Sequence, residues 1–149
     1  MNYGLIEDYK QLDSMGVSVT GKIAIARYGR SYRGIKAREA EKRGALGLII
    51  YSDPADDGYV RGDVYPEGAL RGEPGVQRGS VMHGDGDPST PGFPSRPGAK
   101  RIPLSEMDVP RIPVVPATSK NAAALLKGVS GADLPQPWQG GVQLRSHVA

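Results

Sequence analysis

Arg30, Arg33 and Lys36 crowd the first half of the segment Tyr28–Ala45, YGRSYRGIKAREAEKRGA, just downstream of the apolar run KIAIA. A strand, a glycine-bounded loop and a helix carrying cations at its start make the layout of a phosphate-binding loop, where backbone N–H groups and the helix dipole hold an anion. Gly29 and Gly34 have the separation that pattern needs, but Ile35 then precedes Lys36, and Ala37 replaces the hydroxyl residue. The lysine is thereby turned about 100° round the helix and nothing is left to hold magnesium, so the spacing argues against a nucleotide. A looser anion site survives, because Arg33 stands at a helix start where free N–H groups favour negative charge. The competing reading is that Arg30, Arg33 and Lys36 are solvated loop charges.

Other candidate centres are thinner. The two histidines, His83 and His147, are far apart, with no His-Glu-x-x-His helix and no Gly-x-Ser-x-Gly elbow. The absence of cysteine excludes a thiol nucleophile, a thiolate metal site and a disulfide framework. In HGDGDPSTPGF, His83, Asp85 and Asp87 alternate and could gather a cation, but the spacing lacks the closing glutamate of a helix–loop–helix calcium site. Asp-Gly and Asp-Pro pairs are equally ordinary turn chemistry. Arg61–Asp63 spells Arg-Gly-Asp, a three-residue match to an adhesion motif. Trp138 reads as an anchor for the C-terminal turn and Tyr51 as the end of a core strand.

The elements that must position these residues are partly readable. The chain of 149 residues fits one domain with a workable core, and 21 Gly and 13 Pro make it rich in turns. A short helix is expected over 6–14, ended by Gly16, and a strand over 22–29. A helix follows over 34–43, capped by Gly44 and turning the small residues Ala37 and Ala40 inward; a buried strand follows over 46–52. Residues 53–108 lack periodicity apart from a possible short strand over 75–82, and a loop region of that length is usually functional or packed against something else. Regularity returns with a strand over 112–115, a helix over 120–127 N-capped by Ser119, and an alternating edge strand over 140–148. The net charge of +3 comes from 19 basic and 16 acidic residues spread along the chain, so no block marks a nucleic-acid footprint. No apolar run reaches membrane-spanning length, and MNYGLIEDYKQ lacks the layout of a signal peptide.

Taken in order, NYGLIEDYKQL, GKIAIARYGRSYRGIKAREAEKRGALGLIIYSDPADDG, YPEG, VQRGSV, GDPSTPGFPS, IPVVPATSKNAAALL and WQGG resemble the protease-associated domain of the glutamate carboxypeptidase II and transferrin receptor family of zinc peptidases. The resemblance runs from Asn2 to about Val148. It implies an α+β fold, a compact β-rich sandwich or barrel lobe flanked by short helices, forming one domain over 1–149 of a larger secreted, periplasmic or cell-surface enzyme. It implies that the two zinc ions belong to a separate peptidase domain, so that this lobe covers the active-site cleft, shapes the substrate pocket and has no turnover of its own. Its partners would be that catalytic domain and a peptide with a free C-terminal carboxylate, within a homodimeric parent, with neither nucleic acid nor membrane touching this segment. Arg33 matches the family arginine that reaches the terminal carboxylate. Ser80 stands where the family has asparagine; it is shorter and lacks the amide donor, which argues against strict preference for a C-terminal glutamate. Thr90 and Phe93 match positions of a structural calcium site shared with the catalytic domain, and without the remaining acidic ligands no tight calcium binding by this chain alone is expected. The alternative is a stand-alone peptide- or protein-binding module on the same fold.

Overall fold

The structure, a computed structural model, describes residues 1–142 and 147–148. Helix α1 (Ile6–Ser14) leads into strand β1 (Ile23–Arg27), helix α2 (Arg33–Lys42) and strand β2 (Gly47–Tyr51). A single-turn α3 (Pro54–Asp57) opens the long irregular stretch, after which come strand β3 (Val114–Ala117), helix α4 (Ser119–Leu126) and a small pair, β4 (Ala132–Asp133) with β5 (His147–Val148). Strands β1, β2 and β3 lie in that order in one parallel sheet, with Ala24 opposite Leu48 and Leu48 opposite Val114. β4 and β5 pair antiparallel.

Alternation along the strands sorts side chains onto two faces. Ala24, Ala26, Leu48 and Ile50 turn to one face and pack with Tyr9 and Leu12 of α1 and Ala37 and Ala40 of α2. Ile25, Ile49 and Tyr51 turn to the other and meet Ala117, Ala122 and Leu126. Helices on both faces are what a parallel sheet requires. Burying Leu48 and Ile50 contributes about 1.5–3 kcal/mol each. Ala37 and Ala40 have no exposed surface, and their small size brings α2 close to the sheet as the sequence pattern predicts. Gly44 has φ +75°, the left-handed conformation that ends such a helix.

Several expectations change. The fold is mixed α/β, as the resemblance implies, but among the described residues its largest sheet is a small parallel one and no closed barrel forms. Residues 75–82 make no strand: side chains hold this segment, with Tyr28 Oη donating to the Gln77 carbonyl at 2.8 Å. The cap of α4 is Thr118, whose hydroxyl oxygen accepts from the Asn121 N–H at 3.0 Å, so Ser119 is already the first helical residue. Of the strand expected over 140–148, residues 147–148 form β5, while 143–146 lie outside the described residues.

The C-terminal turn is locked onto the end of β2. Asp53, fully buried, caps α3 by accepting from the Ala55 N–H at 2.9 Å, takes the Gly141 N–H at 2.7 Å, and receives the Tyr51 hydroxyl at 3.2 Å. A side chain on Gly140 would put its Cβ 1.9 Å from Asp53 Oδ2. This contact explains in physical terms why DPAD and WQGG belong together.

Candidate functional site

In parallel sheets, loops at the carboxyl ends of the strands form the natural crevice for ligands. Here that end carries Tyr28–Tyr32 after β1, the start of α2, and the arch 75–82 laid across them. Arg33 is the first residue of α2 and half-buried; its Nε donates to the Ser80 carbonyl at 3.0 Å, and its Cζ lies 5.6 Å from the centre of the Tyr32 ring. No other hydrogen bond of this guanidinium is present among the described residues. Its Nη edge is therefore available to a planar oxyanion, for which a guanidinium fork is suited.

Ser80 meets Arg33 through its backbone. Its carbonyl holds the arginine while its Oγ accepts from the Met82 N–H at 3.2 Å, leaving the hydroxyl proton free to donate. The arch is pinned further back by Tyr28, whose phenol burial pushes up in pKa while Arg33 and Arg71 pull it down. Gly34 completes the join, since a Cβ there would lie 2.6 Å from the Met82 carbonyl oxygen and 2.9 Å from that of Val81.

The other two cations of the opening segment leave the cleft. Arg30 is exposed, adopts φ +65° and stacks 5.6 Å over the Tyr3 ring. Lys36 is neither solvated nor an anion ligand: it has no exposed surface, and its ammonium donates to the carbonyls of Tyr3 at 2.5 Å and Gly29 at 2.7 Å. Burial lowers its pKa to about 8, with Asp8 opposing and Arg27 adding to the drop. Around it sits a polar cluster that sequence reasoning missed. Arg27, 5% exposed, bonds Asn2, lies 3.6 Å from Asp56 Oδ2 and stacks 4.3 Å over Tyr3, whose hydroxyl donates to Asp56 at 2.7 Å. Asp8 accepts from Asn2 Nδ2 and the Leu5 N–H, both at 3.0 Å. The signal for Lys36 was present, because it lies four residues before the inward-facing Ala40 and so shares its helix face.

The possible cation cluster dissolves. His83 Nδ1 turns to Asp108 Oδ1 at 2.6 Å, away from its sequence neighbours. Asp87 is saturated by Ser89, Ser95 and Arg101, whose donors hold its carboxyl well below the usual carboxylate range. Among the described residues no three His, Asp or Glu side chains are grouped to hold a metal. Thr90 is buried, and its Oγ1 has no hydrogen-bond partner among the described residues; its carbonyl accepts the Phe93 N–H at 3.3 Å. Arg61 turns its guanidinium back to the Asp56 carbonyl at 2.8 Å, into its own loop. Trp138 is an anchor, 9% exposed within the main core, and Tyr51 ends β2 as expected.

Known proteins resemble this chain along nearly its whole length. The chain is 44% identical over 148 residues to a glutamate carboxypeptidase 2 homolog of Caenorhabditis briggsae, an alignment taking in 94% of this chain and 19% of the relative. It is 38% identical over 143 residues to the aminopeptidase NAALADL1 of Mus musculus, covering 93% and 19%. It is 35% identical over 144 residues to the probable glutamate carboxypeptidase AMP1 of Arabidopsis thaliana, covering 93% and 18%. The chain thus spans about a fifth of the length of these relatives. The model of the PA domain matches residues 2–125, and with these relatives it makes the chain a member of the protease-associated domain family, of the kind found in glutamate carboxypeptidase-like peptidases.

Proposed function

We propose that this domain is the non-catalytic lobe of a glutamate carboxypeptidase-like zinc exopeptidase, covering the active-site cleft and offering Arg33 to the terminal carboxylate of the substrate. The observation that carries the reading is a guanidinium with Nε fixed on the Ser80 carbonyl and its outer edge unpaired, at the carboxyl end of a parallel sheet. Ser80 supplies a short hydroxyl donor beside it. Hydrolysis would be the work of a zinc-bearing domain elsewhere in the longer protein, where zinc supplies Lewis-acid activation of water.

Calcium belongs to the same proposal. The buried, unpartnered Thr90 Oγ1 fits a hard cation, and Thr90 and Phe93 would hold it through neutral oxygens. Calcium takes six to eight oxygens, so the carboxylates would come from the catalytic domain. The chain alone should therefore bind it weakly.

The direct test is Arg33→Ala in the longer peptidase. The Michaelis constant for a peptide with a free terminal carboxylate should rise by the equivalent of about 1.5–3 kcal/mol, the worth of a charged hydrogen bond. An unchanged constant, with the amidated peptide equally good, would retire the reading. Peptide binding by this chain alone, undiminished by Arg33→Ala, would point instead to a stand-alone binding module.

A further inference from the structure

Gly79 has no backbone reason to be glycine, because its φ lies outside the left-handed region. What it lacks is a side chain. A Cβ built there would lie 2.0 Å from Arg33 Nη2, 2.3 Å from Cζ and 2.4 Å from Nε. All three atoms belong to one guanidinium, and Nε is the atom that reaches the next residue's carbonyl, Ser80 O, at 3.0 Å. The backbone of Gly79 and Ser80 therefore covers the Nε/Nη2 side of the arginine. The Nη1/Nη2 edge carries no hydrogen bond among the described residues.

We propose that Gly79 is a positioning residue for Arg33: its bare α-carbon seats the guanidinium against the arch, so that only the Nη1/Nη2 edge is presented to a carboxylate. The carboxylate half rests on the reading of Arg33 given above; the seating of the guanidinium does not. A long arginine side chain has costly rotamer freedom, and holding it in one orientation before the ligand arrives removes part of the ordering cost of binding. The arch is itself held at two further points, by the Tyr28 hydroxyl on Gln77 and by the close approach of Gly34 to Val81 and Met82. Gly34 and Gly79 differ in kind. At Gly34 a methyl group meets backbone carbonyls, whereas at Gly79 it meets the movable end of a side chain. Alanine at 79 should thus displace Arg33 and leave the fold intact.

The test uses ¹⁵N-labelled chain, in which the Arg33 Nε–H is followed by hydrogen exchange. In the wild type it is protected by Ser80. In Gly79→Ala the backbone amide spectrum is retained and Nε–H exchange accelerates about tenfold or more, the loss of one charge-assisted hydrogen bond. Unchanged protection overturns the inference. If Gly79→Ala instead destabilises the chain, the comparison moves to an Arg33→Ala background. Destabilisation that disappears there supports the inference, because the guanidinium was the obstacle; destabilisation that persists overturns it. In the longer peptidase, Gly79→Ala should raise the Michaelis constant about tenfold more for a peptide with a free carboxylate than for its amide. Loss of Nε–H protection with no such difference leaves the seating established and retires the carboxylate reading alone.

Discussion

Lys36 is a buried cation held by two backbone carbonyls, and its titration has a definite sign. Its folded pKa, about 8, lies below its ordinary value of 10.5, so between those values the unfolded chain holds a proton that the folded chain has released. Stability from this group rises with pH across that window and is least below it. Lys36→Met should cost about 2 kcal/mol at pH 7, because the Tyr3 and Gly29 carbonyls lose a charged donor. The gap between wild type and variant in urea unfolding should then widen from pH 8 to pH 10. Tyrosine ionisation, common to both proteins, drops out of the difference. A gap independent of pH would show that the ammonium is not buried as described. At this scale the place of Arg33 at a helix start was legible from the sequence, since the run of helix formers begins beside it. Lys36 was misjudged because the phosphate-loop comparison placed it by its distance from Gly34, while its helical face, shared with Ala40, was what governed it.

At the scale of elements, the join between the start of α2 and the arch depends on glycine at 34. Gly34→Ala would drive a methyl group within 2.6 Å of the Met82 carbonyl oxygen, and neither backbone can yield easily. We expect a loss of about 1–3 kcal/mol, measured by thermal or urea unfolding, together with weaker protection of the 79–82 amides. Wild-type stability in this variant would mean that the arch does not rest on the helix. The β1–α2–β2 unit was the most legible part of the fold, because its periodicity, its small inward residues and its closing Gly44 all agree. Residues 75–82 resemble a strand by composition, but two side-chain anchors, Tyr28 and Arg33, take over the work of a ladder. The cap of α4 moved one residue for a similar reason: Thr118 and Ser119 carry the same chemistry, and backbone geometry chose between them.

Over the whole molecule, the stretch 53–108 keeps large apolar side chains in water. Tyr65 is 83% exposed, Leu104 63% and Phe93 46%, all in a region held chiefly by turns and by the Asp87–Arg101 network. On the proposed function, a catalytic domain would cover these side chains. Hydrogen exchange of residues 90–106 should slow when that domain is present, and equal exchange with and without it would contradict the docking. No helix among the described residues is long and apolar enough to cross a membrane.

The sequence by itself determined the local order of the β1–α2–β2 unit, that Ala37 and Ala40 face inward, and that Arg33 stands at a helix start. It also carried the family, through motifs spread over nearly its full length. These follow from short-range periodicity and capping, which need no knowledge of distant residues. Tertiary structure alone decided the parallel order of β1, β2 and β3, the burial of Arg27, and the pairing of His83 with Asp108 across 25 residues. It also decided that Ser80 meets Arg33 through its carbonyl and that Gly79 lies against the guanidinium. Each of these depends on which chain segment arrives opposite, a matter of packing and of satisfying buried polar groups rather than of local preference.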